Sequence, residues 1–116
     1  MATEIDIAVI GGGVIGLATA YTFSSYYQSI GIDIEICLLE KHKIPGENQS
    51  SRNSGVAHAG IYYPAATEPF KAKFCVLGNR MLADFCEEYQ VPFEAVGKLV
   101  VAVSQLEEEY LDDLYQ

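Results

Sequence analysis

Three glycines, one acid, one polar loop and one histidine are the residues in this chain whose types and spacing point to chemistry. Gly11, Gly13 and Gly16 fall on a G-x-G-x-x-G spacing within IDIAVIGGGVIG. Glycines so placed suit a phosphate: Gly11 for a tight turn, Gly13 for close backbone approach, Gly16 for close helix packing. Glu40 ends the apolar run DIEICLL. An acid at that place accepts hydrogen bonds from both hydroxyls of an adenosine ribose and repels a 2′-phosphate, which disfavours NADP. Ser50, Ser51, Arg52, Asn53 and Ser54 follow as a cluster of donors, and His58 stands among small residues in GVAHAGIYY. Small residues allow a flat ring system to approach, and a histidine there can donate to it or meet substrate; a satisfied structural histidine is the competing reading.

These residues need elements to hold them. Ile5, Ile7, Ala8, Val9 and Ile10 form a short apolar run, the pattern of a strand buried on both faces. A helix from Val14 to about Tyr27 follows the glycines, and its N-terminus offers unpaired N–H groups and a positive dipole end. Residues 33–39 read as the next strand, after a linker over 24–31. Glu40 lies slightly more than the usual ~20 residues beyond the glycines. The frame is α/β, a Rossmann-like βαβ dinucleotide-binding core. Residues 41–55 are a loop by composition, broken by Pro45, on the ligand side of such a sheet.

Further along, 67–89 reads as a helix with Phe70, Phe74, Leu77, Met81 and Phe85 on one stripe, expected to be core. GKLVVAV, residues 97–103, is expected to be a strand. Ser104 with Glu107 forms a capping box that opens a last helix running to Gln116.

The chain has 116 residues, half of them apolar, and a net charge of −9 from 16 acids and 7 bases. That length is enough for one domain with a core. Many of the acids crowd the C-terminal helix, from Glu107 to Asp113, as a solvated face. No basic patch is present to bind nucleic acid. No window resembles a membrane span, and with the first strand beginning so early no leader is expected. Cys37, Cys75 and Cys86 have no C-x-x-C spacing, so neither a metal site nor a disulfide framework is expected. The context is a reducing compartment, cytoplasmic.

GGGVIG, the strand-end Glu40, and above all QSSRNSGVAHAGIYYP with KAKFCVLGNR, FCEEY and VPFEAVGKLVVA resemble one family. It is the N-terminal part of L-2-hydroxyglutarate dehydrogenases and oxidases, in the D-amino-acid oxidase/glycerol-3-phosphate dehydrogenase superfamily. The resemblance covers nearly the whole chain. It implies FAD as cofactor and a small 2-hydroxy acid as substrate, with hydride leaving C2 of L-2-hydroxyglutarate to give 2-oxoglutarate. The electron acceptor is not specified by any residue here. It also implies roles: Gly11, Gly13 and Gly16 at the pyrophosphate, and Glu40, with Lys41 beside it, at the adenosine ribose. Ser51, Arg52 and Asn53 would lie along the pyrophosphate and ribityl chain, and His58 with Gly60 beside the isoalloxazine. His58 is the one catalytic candidate, a base for the substrate hydroxyl. Ala57 stands where the family is expected to have isoleucine or valine, and His58 is displaced by one position from the histidine that bonds FAD covalently in related branches. Family members are several hundred residues long, so residues 1–116 are expected to be the N-terminal part of an FAD-binding domain. A β-rich substrate domain and a C-terminal segment returning to the FAD would lie outside it. The alternatives are another oxidoreductase of the superfamily, acting on an amine or on glycerol 3-phosphate, or a non-catalytic dinucleotide-binding fragment.

Overall fold

The computed structural model describes residues 4–115. They divide into two compact units, Met1–Gly55 and Val56–Gln116.

The first unit is built on a parallel pair of strands joined by a helix: β1 (Ile7–Ile10), α1 (Val14–Ser29) and β2 (Ile36–Leu39). The register sets Ile7 beside Ile36 and Ile10 beside Leu39, and the Gly11 N–H extends the ladder by donating to the Leu39 carbonyl oxygen at 2.8 Å. A parallel pair needs a crossover, and α1 supplies it. The helix lies over the Val9 face of β1, where Val9 is buried, while Ile10 is 85% exposed. β1 is therefore covered on one face rather than both, because α1 is the one layer this unit supplies.

α1 runs through most of the segment expected to be linker. It stops at Gly31, whose φ of +72° allows a Schellman close: Gly31 N–H donates to Gln28 O at 3.1 Å, and Ile32 N–H to Tyr27 O at 3.0 Å. A short 3₁₀ turn (Gln49–Ser51) follows β2.

The second unit holds α2 (Pro69–Glu88) and α3 (Gln105–Tyr115). α2 begins with proline in its first turn, where the missing N–H costs nothing. It closes like α1, with Gln90 at φ +55° taking the glycine's place and Val91 N–H donating to Cys86 O at 2.9 Å. At the start of α3 the Glu107 N–H donates to Ser104 Oγ at 3.4 Å. The Glu107 carboxylate reaches back to the Val103 N–H at 2.7 Å, one residue earlier than an ideal capping box.

Two expectations fail in this unit. Residues 97–103 form no strand; Leu99, Val101 and Val103 are 91%, 72% and 85% exposed. A strand is defined by its partner, and among the described residues no edge pairs with this run. The apolar stripe of α2 is real but uncovered. Phe70 and Phe74 stack on each other at 6.3 Å, yet Phe70, Phe74, Leu77, Met81 and Phe85 are all exposed, and Cys86 is the buried residue of the helix. A real core of domain size is accordingly not formed: Val9 and Cys86 are the buried apolar residues among those described.

Among the described residues no helix is long and apolar enough to cross a membrane.

Candidate functional site

The turn after β1 is tied to the end of β2 and to the loop beyond it by specific contacts. Gly11 leaves the strand with φ +102°, a conformation closed to most side chains. Gly12 is buried and has both backbone groups engaged: its N–H donates to Glu40 Oε2 at 2.6 Å, and its carbonyl accepts the Gly46 N–H at 2.8 Å. A Cβ at Gly12 would meet the Glu40 side chain at 3.1 Å. Gly16 seats α1 on the strand: a Cβ there would run into the Gly11 carbonyl oxygen, and would lie 3.5 Å from Val9 Cγ1.

Glu40 closes this arrangement from the end of β2. Its Oε1 accepts the His42 N–H at 2.8 Å while Oε2 holds Gly12. The two N–H bonds, His42 first and Gly12 second, hold its carboxyl below the ordinary carboxylate value, because both favour the charged form. Glu40 is thus kept ionised at the rim of the turn.

The loop after β2 folds back over the start of α1. Ser50 Oγ accepts the Val14 N–H at 2.8 Å, and the first helical bond is Leu17 N–H to Gly13 O at 2.9 Å. Ile15 and Gly16 therefore keep N–H groups with no intrahelical acceptor, and no acid in the first turn offsets the positive end of the helix. The loop is braced by its own polar side chains. Asn48 Nδ2 lies 2.7 Å from His42 Nε2, and His42 Nδ1 lies 3.8 Å from the Glu47 carboxylate. Ser51 Oγ donates to the Glu47 or Asn48 carbonyl, each 3.1 Å away. Asn53 Nδ2 donates to Ser50 O at 2.8 Å, and its Oδ1 accepts the Gly55 N–H at 2.8 Å.

These elements enclose an open cleft of about 630 Å³, within the roughly 300–1,000 Å³ of small-molecule sites. Gly11, Gly13, Glu40, Lys41, Ser50 and Asn53 line it, with Ile10, Val14 and Leu39 as apolar surface. A dinucleotide fits this donor set. The floor is bare glycine backbone beside a helix N-terminus, which suits a pyrophosphate, and an ionised carboxylate stands at the rim for a ribose. A Cβ at Gly13 would come within 3.2 Å of Ser50 Oγ, so space there depends on glycine.

Of the residues singled out from sequence, Gly11, Gly13, Glu40, Lys41 and Asn53 come together at the cleft. Gly16 lies behind it, against Gly11, and Ser51 and Arg52 are not part of the lining. Sequence reasoning gave no role to Gly12 and no particular one to Ser50. The middle glycine of GGG, outside the G-x-G-x-x-G spacing, was the available signal for Gly12; nothing local marks Ser50.

His58 and Gly60 belong to the second unit. His58 is exposed, in a stretch without regular secondary structure. Gly60, at φ +87°, lies outside α2 but against it: a Cβ there would be 3.2 Å from Cys75 Cβ and from Val76 Cγ2. Asn79 Nδ2 donates to the Ala57 carbonyl oxygen at 3.3 Å.

The chain is similar to the mitochondrial L-2-hydroxyglutarate dehydrogenase of Nematostella vectensis, 40% identical over 111 residues, 96% of this chain and 23% of that protein. It is similar to L-2-hydroxyglutarate dehydrogenase of Escherichia coli K12, also 40% identical over 96% of this chain and 25% of that protein. The mitochondrial L-2-hydroxyglutarate dehydrogenase of Homo sapiens is 40% identical over 114 residues, 98% of this chain and 23% of that protein. The chain thus spans about a quarter of the length of these curated relatives. No solved structure matches. The family model described as FAD dependent oxidoreductase matches residues 6–116. With the glycine turn, the ionised strand-end acid and a match over nearly every residue, the chain belongs to the FAD dependent oxidoreductase family.

Proposed function

We propose that these residues form the N-terminal part of the FAD site, in a Rossmann-like βαβ frame, of an enzyme that oxidises L-2-hydroxyglutarate to 2-oxoglutarate. The observation that carries the substrate is 40% identity over 96% of the chain to proteins named for that activity. The cleft at the glycine turn supports the cofactor.

FAD, when bound, supplies a two-electron acceptor for the hydride that leaves C2 of the substrate. The chain's own residues bind and orient. Gly11 and Gly13 offer backbone to the pyrophosphate at the α1 N-terminus, and Gly16 keeps that helix close enough for its dipole to act. Glu40 accepts hydrogen bonds from the adenosine ribose hydroxyls, with Lys41 beside it. Asn53, in the cleft lining, would lie along the pyrophosphate and ribityl chain, and the family resemblance would put Ser51 and Arg52 beside it and His58 with Gly60 near the isoalloxazine. His58 takes the proton from the substrate hydroxyl as the hydride departs from carbon, so that the C–O bond becomes a carbonyl. Three free cysteines support a reducing compartment such as the cytoplasm.

The test is anaerobic reduction of the whole, flavin-loaded protein. L-2-hydroxyglutarate should bleach the flavin, while its D-enantiomer, amino acids and glycerol 3-phosphate should not. Bleaching by an amine or by glycerol 3-phosphate would move the protein to another branch of the superfamily, and bleaching by none would favour a non-catalytic role.

A further inference from the structure

His58 is held from both sides by one helix. Before it, the Asn79 side chain on α2 donates to the Ala57 carbonyl oxygen at 3.3 Å, in a half-buried position. After it, Gly60 lies so near α2 that a Cβ would also be 3.4 Å from the Ala72 carbonyl oxygen, and its own carbonyl accepts the Tyr63 N–H at 3.2 Å. Between these anchors the chain has no helix or strand of its own. The Ala57 carbonyl and the His58 N–H share one rigid peptide plane. Holding that carbonyl therefore restrains the plane that carries the His58 N–Cα bond, and with it the Cα from which the side chain departs. A carbonyl can only accept, which sets the Asn79 amide with its NH₂ toward Ala57.

We infer that Asn79 is a positioning residue for His58: its amide, through the Ala57 carbonyl, sets the direction from which the imidazole meets the substrate hydroxyl. Asn79 acts through the Ala57 backbone rather than on a reacting atom. Its effect is geometric, and displacement of a reacting group by about 1 Å can cost ~10²-fold in rate. The inference rests on the reading that His58 takes the hydroxyl proton, and goes beyond it by naming what holds the histidine in place.

A double-mutant cycle in the whole, flavin-loaded protein tests it, with the rate of anaerobic bleaching by L-2-hydroxyglutarate taken per bound flavin. Asn79→Asp keeps the shape and loses the donor; Asn79→Ala loses both. Each should slow bleaching by about 10–10²-fold with flavin content unchanged, and Asn79→Gln, which keeps the amide, should recover part of the loss. His58→Ala should slow it by about 10²–10⁴-fold, and adding Asn79→Asp to His58→Ala should slow it no further. If His58→Ala is slow and the Asn79 variants are fast, or multiply its effect, the positioning role is wrong while the histidine reading stands. If Asn79→Asp lowers flavin content or melting temperature with rate per flavin intact, the residue is structural and the inference falls. If His58→Ala bleaches at the parental rate, the histidine reading itself fails and the inference with it.

Discussion

Glu40 and Gly12, separated by 28 positions in sequence, are joined by a 2.6 Å hydrogen bond from the Gly12 N–H to the Glu40 carboxylate. The other carboxylate oxygen takes the His42 N–H. Glu40 thus ties the glycine turn to the strand end, and each oxygen keeps lone-pair capacity for a further donor.

This bond pair gives a pH dependence with a definite sign. The Glu40 carboxyl is held below its ordinary value of 4.5, first by His42 and then by Gly12. A depressed acid stabilises the fold fully above its unfolded value, and that contribution disappears as pH falls through the lowered one. The parent should melt higher than Glu40→Gln at neutral pH, and the gap should close in acid. Melting curves from pH 7 to about pH 3 check this; a gap independent of pH would mean the bonds do not depend on the charge.

Gly16→Ala should destabilise the first unit by about 1–3 kcal/mol, the usual cost of forcing atoms into filled space. The new methyl would run into the Gly11 carbonyl oxygen, and backbone cannot rotate away as a side chain can. Gly12→Ala is milder, because its nearest neighbours, Glu40 Cβ and Oε2, lie at 3.1 Å, an overlap relieved by a shift of a few tenths of an ångström. Chemical denaturation of the two variants should rank them in that order.

Ser50→Ala removes the acceptor of the Val14 N–H. Its effect should match loss of an N-cap, about 1 kcal/mol, with weaker FAD retention because the loop no longer holds to the helix start. Ser50→Thr keeps the hydroxyl and should restore both. Denaturation midpoints and flavin titration measure the two effects separately.

The α2 stripe gives a prediction opposite to the one the sequence suggests. A buried Phe74 would cost roughly 3–5 kcal/mol on truncation. At 60% exposure, Phe74→Ser in this 116-residue chain should change stability by within about 0.5 kcal/mol and reduce self-association by shrinking an exposed apolar patch. Light scattering and melting together check it, and a large drop in melting temperature would mean the ring is covered.

What could be read in advance was what local pattern controls. A strand, a G-x-G-x-x-G turn, a helix and a strand ending in Glu40 follow from apolar periodicity and glycine placement, and so do the long helix and the capping pair Ser104 and Glu107. What could not be read depends on chain folding back on itself. Ser50 reaches Val14 across 36 positions, and no residue near Ser50 announces that partner. Gly12 occupies a free position of the motif, so its burial against Glu40 shows only in three dimensions. The run 97–103 has strand-forming side chains, but a ladder requires a neighbouring edge that residue types do not reveal. The α2 stripe marks which face needs covering without saying what covers it.

The central claim is that the glycine turn holds the pyrophosphate of FAD. It is tested most directly by releasing and identifying the bound nucleotide from the whole parent protein and from Gly13→Val. The account predicts one FAD per parent chain and little or none in the variant, because a branched side chain would fill the space between the turn and Ser50. Release of a nicotinamide dinucleotide from the parent, or equal FAD in both proteins, would contradict it.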